Sequence, residues 1–154
     1  MTRVLVIHGP NLDRLGAREP EIYGHQTLAD LNARLTQEAQ RLGAEVECIQ
    51  TNHEGAIVDA LAQAAGRFDA VIVNPAAFSH DSLAIRDALA ATPVPCVEVH
   101  LTNVFARESF RQRMVTAGAC AGVICGFGSE SYILALHAAL ELARRRQGRK
   151  GGST

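Results

Sequence analysis

The chain has 154 residues, 47% of them hydrophobic and 20% charged, with a formal net charge of −1. That length suits one domain with a substantial core, and the balanced charge excludes a bulk field for nucleic acid or an acidic membrane surface. The four cysteines, Cys48, Cys96, Cys120 and Cys125, form no CxxC pair and read as buried, reduced thiols. No apolar run approaches a membrane span, and the N-terminus enters a strand without a secretion signal. A cytoplasmic location is the expectation.

Residues 4–7 are a β-branched apolar run and read as a strand. The stretch that follows, residues 9–24, is GPNLDRLGAREPEIYG. It is too polar and too rich in Gly and Pro for a helix or a core strand. Long structureless segments are uncommon inside compact domains, and those that occur are usually functional or disordered. This one holds Asn11, Asp13, Arg14, Arg18, Glu19, Glu21 and Tyr23. It reads as a mobile loop at the strand's C-terminal edge that carries catalytic groups, with an ordinary surface loop as the alternative.

A helix over 27–42 is predicted from Leu28, Leu31, Leu35, Ala39 and Leu42 at three- and four-residue steps, with Thr27 and Asp30 at its start and Gly43 as a stop. The strand Ala44–Gln50 comes next, then a helix over 56–65 on Ile57, Leu61 and Ala64. Ala70–Asn74 is the third strand, followed by a helix over 82–91 on Leu83, Ile85 and Leu89 that Thr92-Pro93 ends. After the strand Cys96–His100, residues 102–118 exceed a plain connection and leave room for a short helix around 107–114. Gly122–Cys125 is the fifth strand, and a last helix over 131–146 carries Ile133, Leu136, Leu140 and Ala143. Its basic end suits a helix C-terminus. Residues 147–154 are expected to form a disordered tail, leaving 1–146 as one catalytic domain.

Alternating strands and helices indicate parallel βαβ units with right-handed crossovers. Five such strands suggest an α/β fold: a flavodoxin-like doubly wound parallel sheet with helices on both faces. Sites in such folds lie at the carboxyl ends of the strands. Each predicted strand here ends in polar groups. These are His8 and the Asn11 loop; Gln50 to Gly55; Asn74 with Ser79-His80-Asp81; Glu98 and His100 with Thr102-Asn103; and Gly126 to Ser131. The topology brings all five to one edge.

Glu98 and His100 lie two apart on a strand, so their side chains leave the same face. A carboxylate beside an imidazole suits a general acid or base, although a satisfied core pair has the same pattern. Tyr23 is a phenol whose unperturbed pKa is near 10, and a cation such as Arg18 stabilises phenolate. A phenolate so held could remove a carbon-bound proton; a tyrosine that simply packs the loop down is the alternative. The only lysine is Lys150, in the expected tail, which argues against Schiff-base chemistry. Gly126-Phe127-Gly128-Ser129 resembles an anion cradle, but it follows the last strand and does not match the dinucleotide fingerprint. Packing or a subunit contact explains it as well. His53-Glu54, His80-Asp81 and Glu98-x-His100 lack close metal-ligand spacing, and no metal is expected.

Several motifs together carry a family resemblance. Gly9-Pro10-Asn11-Leu12, Leu15-Gly16, Arg18-Glu19-Pro20 and Tyr23-Gly24 resemble the opening signature of type II 3-dehydroquinate dehydratases. Gln50-Thr51-Asn52-His53-Glu54-Gly55, Asn74-Pro75-Ala76-Ala77, Ser79-His80 with Arg86-Asp87, Glu98-Val99-His100, Phe110-Arg111 and Gly126-Phe127-Gly128 with Ser131-Tyr132 continue it in order. The resemblance implies a cofactor-free, flavodoxin-like lyase, dodecameric as a tetramer of trimers. Such an enzyme converts 3-dehydroquinate to 3-dehydroshikimate by anti elimination through an enolate, in the shikimate route to aromatic compounds or in quinate breakdown.

By the same resemblance, Tyr23 is the base, with Arg18 holding it as phenolate, and Asn11 stabilises the enolate through a water. His100, positioned by Glu98, protonates the departing hydroxyl. Asn74, with the Leu101 and Thr102 backbone amides, grips the substrate carboxylate. His80 and Arg111 hold ring hydroxyls, and Asp87 comes from a neighbouring subunit. Thr102 stands where serine is usual, Phe78 where tyrosine is, and Asp81 where a neutral residue is frequent. Two rivals follow from composition and spacing alone, a non-catalytic anion-binding module and a metal-dependent hydrolase. The first predicts affinity without turnover, the second inactivation by a chelator.

Overall fold

The computed structural model describes residues 1–17 and 19–152; Arg18 and the Tyr23 side chain lie outside what it describes. Five parallel strands form one sheet in the order β2-β1-β3-β4-β5. They are β1 (Thr2–His8), β2 (Ala44–Gln50), β3 (Ala70–Asn74), β4 (Cys96–His100) and β5 (Gly122–Cys125). This is the doubly wound α/β arrangement expected from the sequence, with the order reversing beside β1.

Alternation along the strands divides the core into two layers. Val4, Val6, Ala70, Ile72, Val97 and Val99 pack against α2 (Leu28–Arg41) and α5 (Glu130–Gly151). Leu5, Ile7, Val71 and Val73 face α3 (Glu54–Gln63) and α4 (Leu83–Ala91) on the other side. The central strands are thus covered on both faces, as parallel sheets require. Burying each of the fully enclosed Leu31, Leu35, Ile57 and Leu61 side chains stabilises the fold by roughly 1.5–3 kcal/mol.

Local chemistry sets the helix ends. Thr27 and Asp30 form a reciprocal capping box on α2, each side chain accepting from the other's backbone N–H at 3.1 Å. Gly43, at φ 73°, takes the left-handed conformation that ends that helix. Ser82 caps α4 by accepting from the Ile85 amide at 3.0 Å.

The structure departs from the sequence reading in three segments. The loop over 9–24 contains a 3-10 turn (Leu12–Arg14) and one helical turn, α1 (Pro20–Tyr23), with proline at its start. No α-helix joins β4 to β5: the connection folds into 3-10 turns at Val104–Ala106, Ser109–Arg111 and Ala117–Ala119, so the short helix allowed for around 107–114 is a single 3-10 turn. Gln112 holds that connection irregular by donating to the Phe105 and Arg107 carbonyls. Finally, α5 runs beyond residue 146 to Gly151. Arg144 and Arg145 both pair with Glu141 on its surface, and basic residues suit a helix C-terminus.

Candidate active site

A cleft of about 140 Å³ opens at the carboxyl edge of the sheet. Asn11, Arg14, Asn74, His80, His100, Thr102, Arg107 and Arg111 supply its polar lining, and Leu12, Leu15, Leu101 and Val104 its apolar lining. None of the described lining residues is acidic. Three guanidinium groups and two imidazoles therefore face a partly apolar cavity, an arrangement that favours a small anion.

Backbone geometry at β1 and β3 shapes the floor. The Gly9 amide donates to the Asn74 carbonyl at 2.8 Å. A Cβ at Gly9 would lie 2.7 Å from that oxygen and 2.8 Å from the Pro75 carbonyl carbon, so only glycine allows this approach. Asn11 follows at φ 68°, and its amide donates to Asn52 Oδ1 at 3.0 Å. Gln50 donates to both Asn52 Oδ1 and the Gly9 carbonyl. The polar turn after β2 thus clamps the loop after β1.

Glu98 and His100 leave β4 on the α3/α4 face. Both are buried, and His100 Nε2 donates to Glu98 Oε2 at 2.7 Å. Ser79 Oγ donates to the same oxygen at 3.0 Å, and Thr116 donates to Oε1. The carboxylate is thereby satisfied on both oxygens and fixes the imidazole at the cleft wall. His80 Nδ1 donates to the Arg113 carbonyl at 2.8 Å, which leaves Nε2 for the cavity. Arg111 lies over the Phe110 ring and pairs with Glu108, whose carboxyl this guanidinium holds below its usual range.

A second buried polar group lies on the opposite face of the sheet. His8, continuing the Val4 and Val6 side of β1, contacts Tyr132 Oη through Nδ1 at 3.0 Å and Asn32 Oδ1 through Nε2 at 2.8 Å. Asn74 Nδ2 donates to the same phenol at 3.0 Å, and Asn74 Oδ1 accepts from the Ala76 amide at 3.0 Å.

Burial pushes the His8 imidazole down to about 4 from 6.5, against the opposing pull of Asn32. Between those values the unfolded chain binds the proton and the folded chain does not. The contribution to stability is therefore full above about pH 6.5 and lost as the pH falls towards 4, about 3 kcal/mol in all. Urea midpoints at pH 7 and pH 4.5 check this. The parent should lose much more stability on acidification than His8→Gln, whereas equal losses would contradict it.

The residues proposed from the sequence divide into three groups. Asn11, Asn74, His80, His100, Leu101, Thr102 and Arg111 line the cleft, with Glu98 directly behind His100. Asp87 is exposed on α4 and does not line this cleft. Arg18 is outside the described residues; Tyr23 ends α1, with only its backbone described. The Gly126 turn spends its donors on the protein: the Gly126 amide bonds the His100 carbonyl at 3.3 Å and the Gly128 amide the Leu101 carbonyl at 2.9 Å. It braces the end of β4.

Sequence reasoning missed Arg107 and Thr116 as parts of this site, placed Ser79 at the right edge without a partner, and left Arg14 without a role. Arg14 lies in the stretch it flagged as polar, and Arg107 and Thr116 in the one it flagged as longer than a plain connection, and that was the available signal. Among the described residues, no group of three or more His, Cys, Asp or Glu side chains is placed to hold a metal. None of the described helices is long and apolar enough to cross a membrane. The cysteines are unpaired, and burial pushes the thiols of Cys48 and Cys96 up to about 11 and about 12.

Comparison with known proteins agrees with the fold. The family model described as dehydroquinase class II matches residues 2–140. A 3-dehydroquinate dehydratase of Geotalea daltonii is 57% identical over 136 residues, 88% of this chain and 94% of that protein. One from Desulforudis audaxviator is 56% identical over 143 residues, 93% of this chain and 95% of the relative. Among solved structures, the type II dehydroquinase of Butyrivibrio crossotus superposes with a TM-score of 0.88 at 43% identity, over 90% of this chain and 97% of that one. The chain belongs to the class II dehydroquinase family, and is an enzyme of that type.

Proposed function

We propose that the chain dehydrates 3-dehydroquinate to 3-dehydroshikimate by anti elimination through an enolate, without a Schiff base. The observation that carries the reading is the cleft itself, cationic and free of described carboxylates, next to the loop that holds Arg18 and Tyr23. The sole lysine, Lys150, lies with Pro93, Val94 and Pro95 beyond the start of β4, at the opposite edge of the sheet. No amine is therefore available at the cleft for an imine with the substrate ketone.

The substrate is a β-hydroxy ketone, so its C2 hydrogen is acidic and its C1 hydroxyl is the leaving group. The Tyr23 phenolate, held by Arg18, takes the C2 proton. The electron pair moves onto the ketone oxygen as an enolate, which Asn11 stabilises through a water. The enolate collapses to the enone as the C1–O bond breaks, and His100 gives the departing oxygen a proton from Nδ1 while Glu98 keeps Nε2. Asn74 and the Leu101 and Thr102 backbone amides hold the carboxylate, and His80 and Arg111 hold ring hydroxyls. Asp87 acts in a neighbouring copy's cleft, within a cytoplasmic dodecamer built as a tetramer of trimers. The reaction serves the shikimate route or quinate breakdown in a single catalytic domain.

Stereospecific deuteration at C2 tests the elimination. Anti loss removes the hydrogen opposite the C1 hydroxyl, so product from one labelled epimer should keep its deuterium and product from the other should lose it. Loss of the hydrogen on the same side as the hydroxyl would overturn the mechanism.

A further inference from the structure

We propose that Tyr132, His8 and Asn32 are positioning residues for Asn74, forming a one-way hydrogen-bond relay that holds its carboxamide in a single orientation at the cleft. The inference rests on the reading of Asn74 as part of the carboxylate grip. It assigns a reason to three polar side chains that the elimination itself does not use.

Strand register brings the relay together. His8 and Asn74 are paired neighbours at the ends of β1 and β3. His8 continues the Val4–Val6 side and Asn74 the Ala70–Ile72 side, so both leave the sheet towards α2 and α5. There Asn32 of α2 and the fully buried Tyr132 of α5 meet them.

The direction of every bond follows from one backbone amide. The Ala76 N–H can only donate, and it donates to Asn74 Oδ1 at 3.0 Å. Nδ2 must then face Tyr132, to which it donates at 3.0 Å. The phenol hydrogen is left for His8 Nδ1 at 3.0 Å, which makes that nitrogen the acceptor. The imidazole hydrogen accordingly sits on Nε2 and goes to Asn32 Oδ1 at 2.8 Å. Turning the Asn74 amide over would set Nδ2 against the Ala76 N–H, donor against donor. The relay thus leaves the second Nδ2 hydrogen as what Asn74 offers an anionic group in the cleft it lines.

Burial keeps both central groups in the required forms, with Tyr132 raised and remaining a phenol and His8 lowered and remaining neutral. Ala76 sits at φ 52°, a left-handed conformation unfavourable for alanine, and the Asn74 side chain is what accepts its amide. The strain and the relay therefore share one side chain.

The test compares kinetics on 3-dehydroquinate with the tautomer of His8. Tyr132→Phe keeps the ring and removes the hydroxyl, leaving Asn74 Nδ2 and His8 Nδ1 without their partner. KM should rise about tenfold or more while kcat per folded molecule stays within about threefold, a split that loss of folded protein alone does not produce. His8→Gln supplies an acceptor and a donor from one uncharged group and should restore KM to within about threefold of the parent, whereas His8→Leu supplies neither and should match Tyr132→Phe. Parental KM in folded Tyr132→Phe or His8→Leu would overturn the proposal.

Should those variants fail to fold, ¹⁵N spectra of the parent decide. The relay requires a neutral His8 with its hydrogen on Nε2, and the opposite tautomer would overturn it. A parent that does not dehydrate 3-dehydroquinate would count against the reading of the cleft instead, with the tautomer still deciding the relay.

Discussion

Tyr23→Phe should lower kcat on 3-dehydroquinate by at least ~10³-fold while the variant still binds the product with near-parental affinity. The loss is large because phenylalanine has no group that can accept the C2 proton, and water is a far weaker base than a phenolate. Affinity should survive because the polar groups that line the cleft remain, among them Arg14, Arg107, Arg111, Asn74 and His80. Single-turnover rates and product titration separate the two effects. Turnover within tenfold of the parent would remove Tyr23 from the role of base.

His100→Asn should also cost roughly 10²–10⁴-fold in kcat, the usual worth of a positioned general acid. It should do so at a different step. Asparagine can still donate to a buried acceptor, and Ser79 and Thr116 continue to satisfy Glu98, so the fold should tolerate the change. It cannot release a proton to the departing hydroxyl. With Tyr23 intact, the substrate C2 hydrogen should still exchange with solvent deuterium although elimination is blocked. Tyr23→Phe should lose exchange and elimination together. If His100→Asn also abolishes exchange, the division of labour between the two residues is wrong.

The sheet was legible in the sequence because its signal is periodic. The four strands from Ala44–Gln50 onward begin and end where the apolar runs do, and Thr27, Asp30 and Gly43 mark the ends of α2 through chemistry that local sequence carries. Glu98 and His100 were legible as a pair because a two-residue step on a strand puts both on one face.

What the sequence did not reveal are contacts that no period encodes. Thr116 reaches Glu98 from 18 residues away, and Tyr132 reaches His8 across 124. Tyr132 stood out only as the end of a glycine-rich motif, and His8 only as a polar strand end. In the connection from β4 to β5 the short helix allowed for around 107–114 is only the 3-10 turn Ser109–Arg111. Residues 107–114 contain helix formers, yet Gln112 binds carbonyls of the preceding turns, and these local side-chain bonds compete with a longer helix. Arg14 and Arg107 enter the cleft from irregular segments, where side-chain direction depends on the whole fold.

The two buried networks give these misses a common form. On one face of the sheet, Ser79, Thr116 and Glu98 hold His100. On the other, Asn32, His8 and Tyr132 end at Asn74. Both terminate at the same cleft, so the reacting edge is supported by polar side chains inside both core layers. Such groups are tolerated in a core only when satisfied, and no fully buried side-chain nitrogen or oxygen among the described residues lacks a partner.

Absorbance in the enone band, followed after adding EDTA-treated protein to 3-dehydroquinate, tests the central claim most directly. The account predicts a steady rise without added metal or cofactor, as the β-hydroxy ketone becomes a conjugated enone. A flat trace from folded protein would contradict it, and the cleft would then stand as an anion-binding site without turnover.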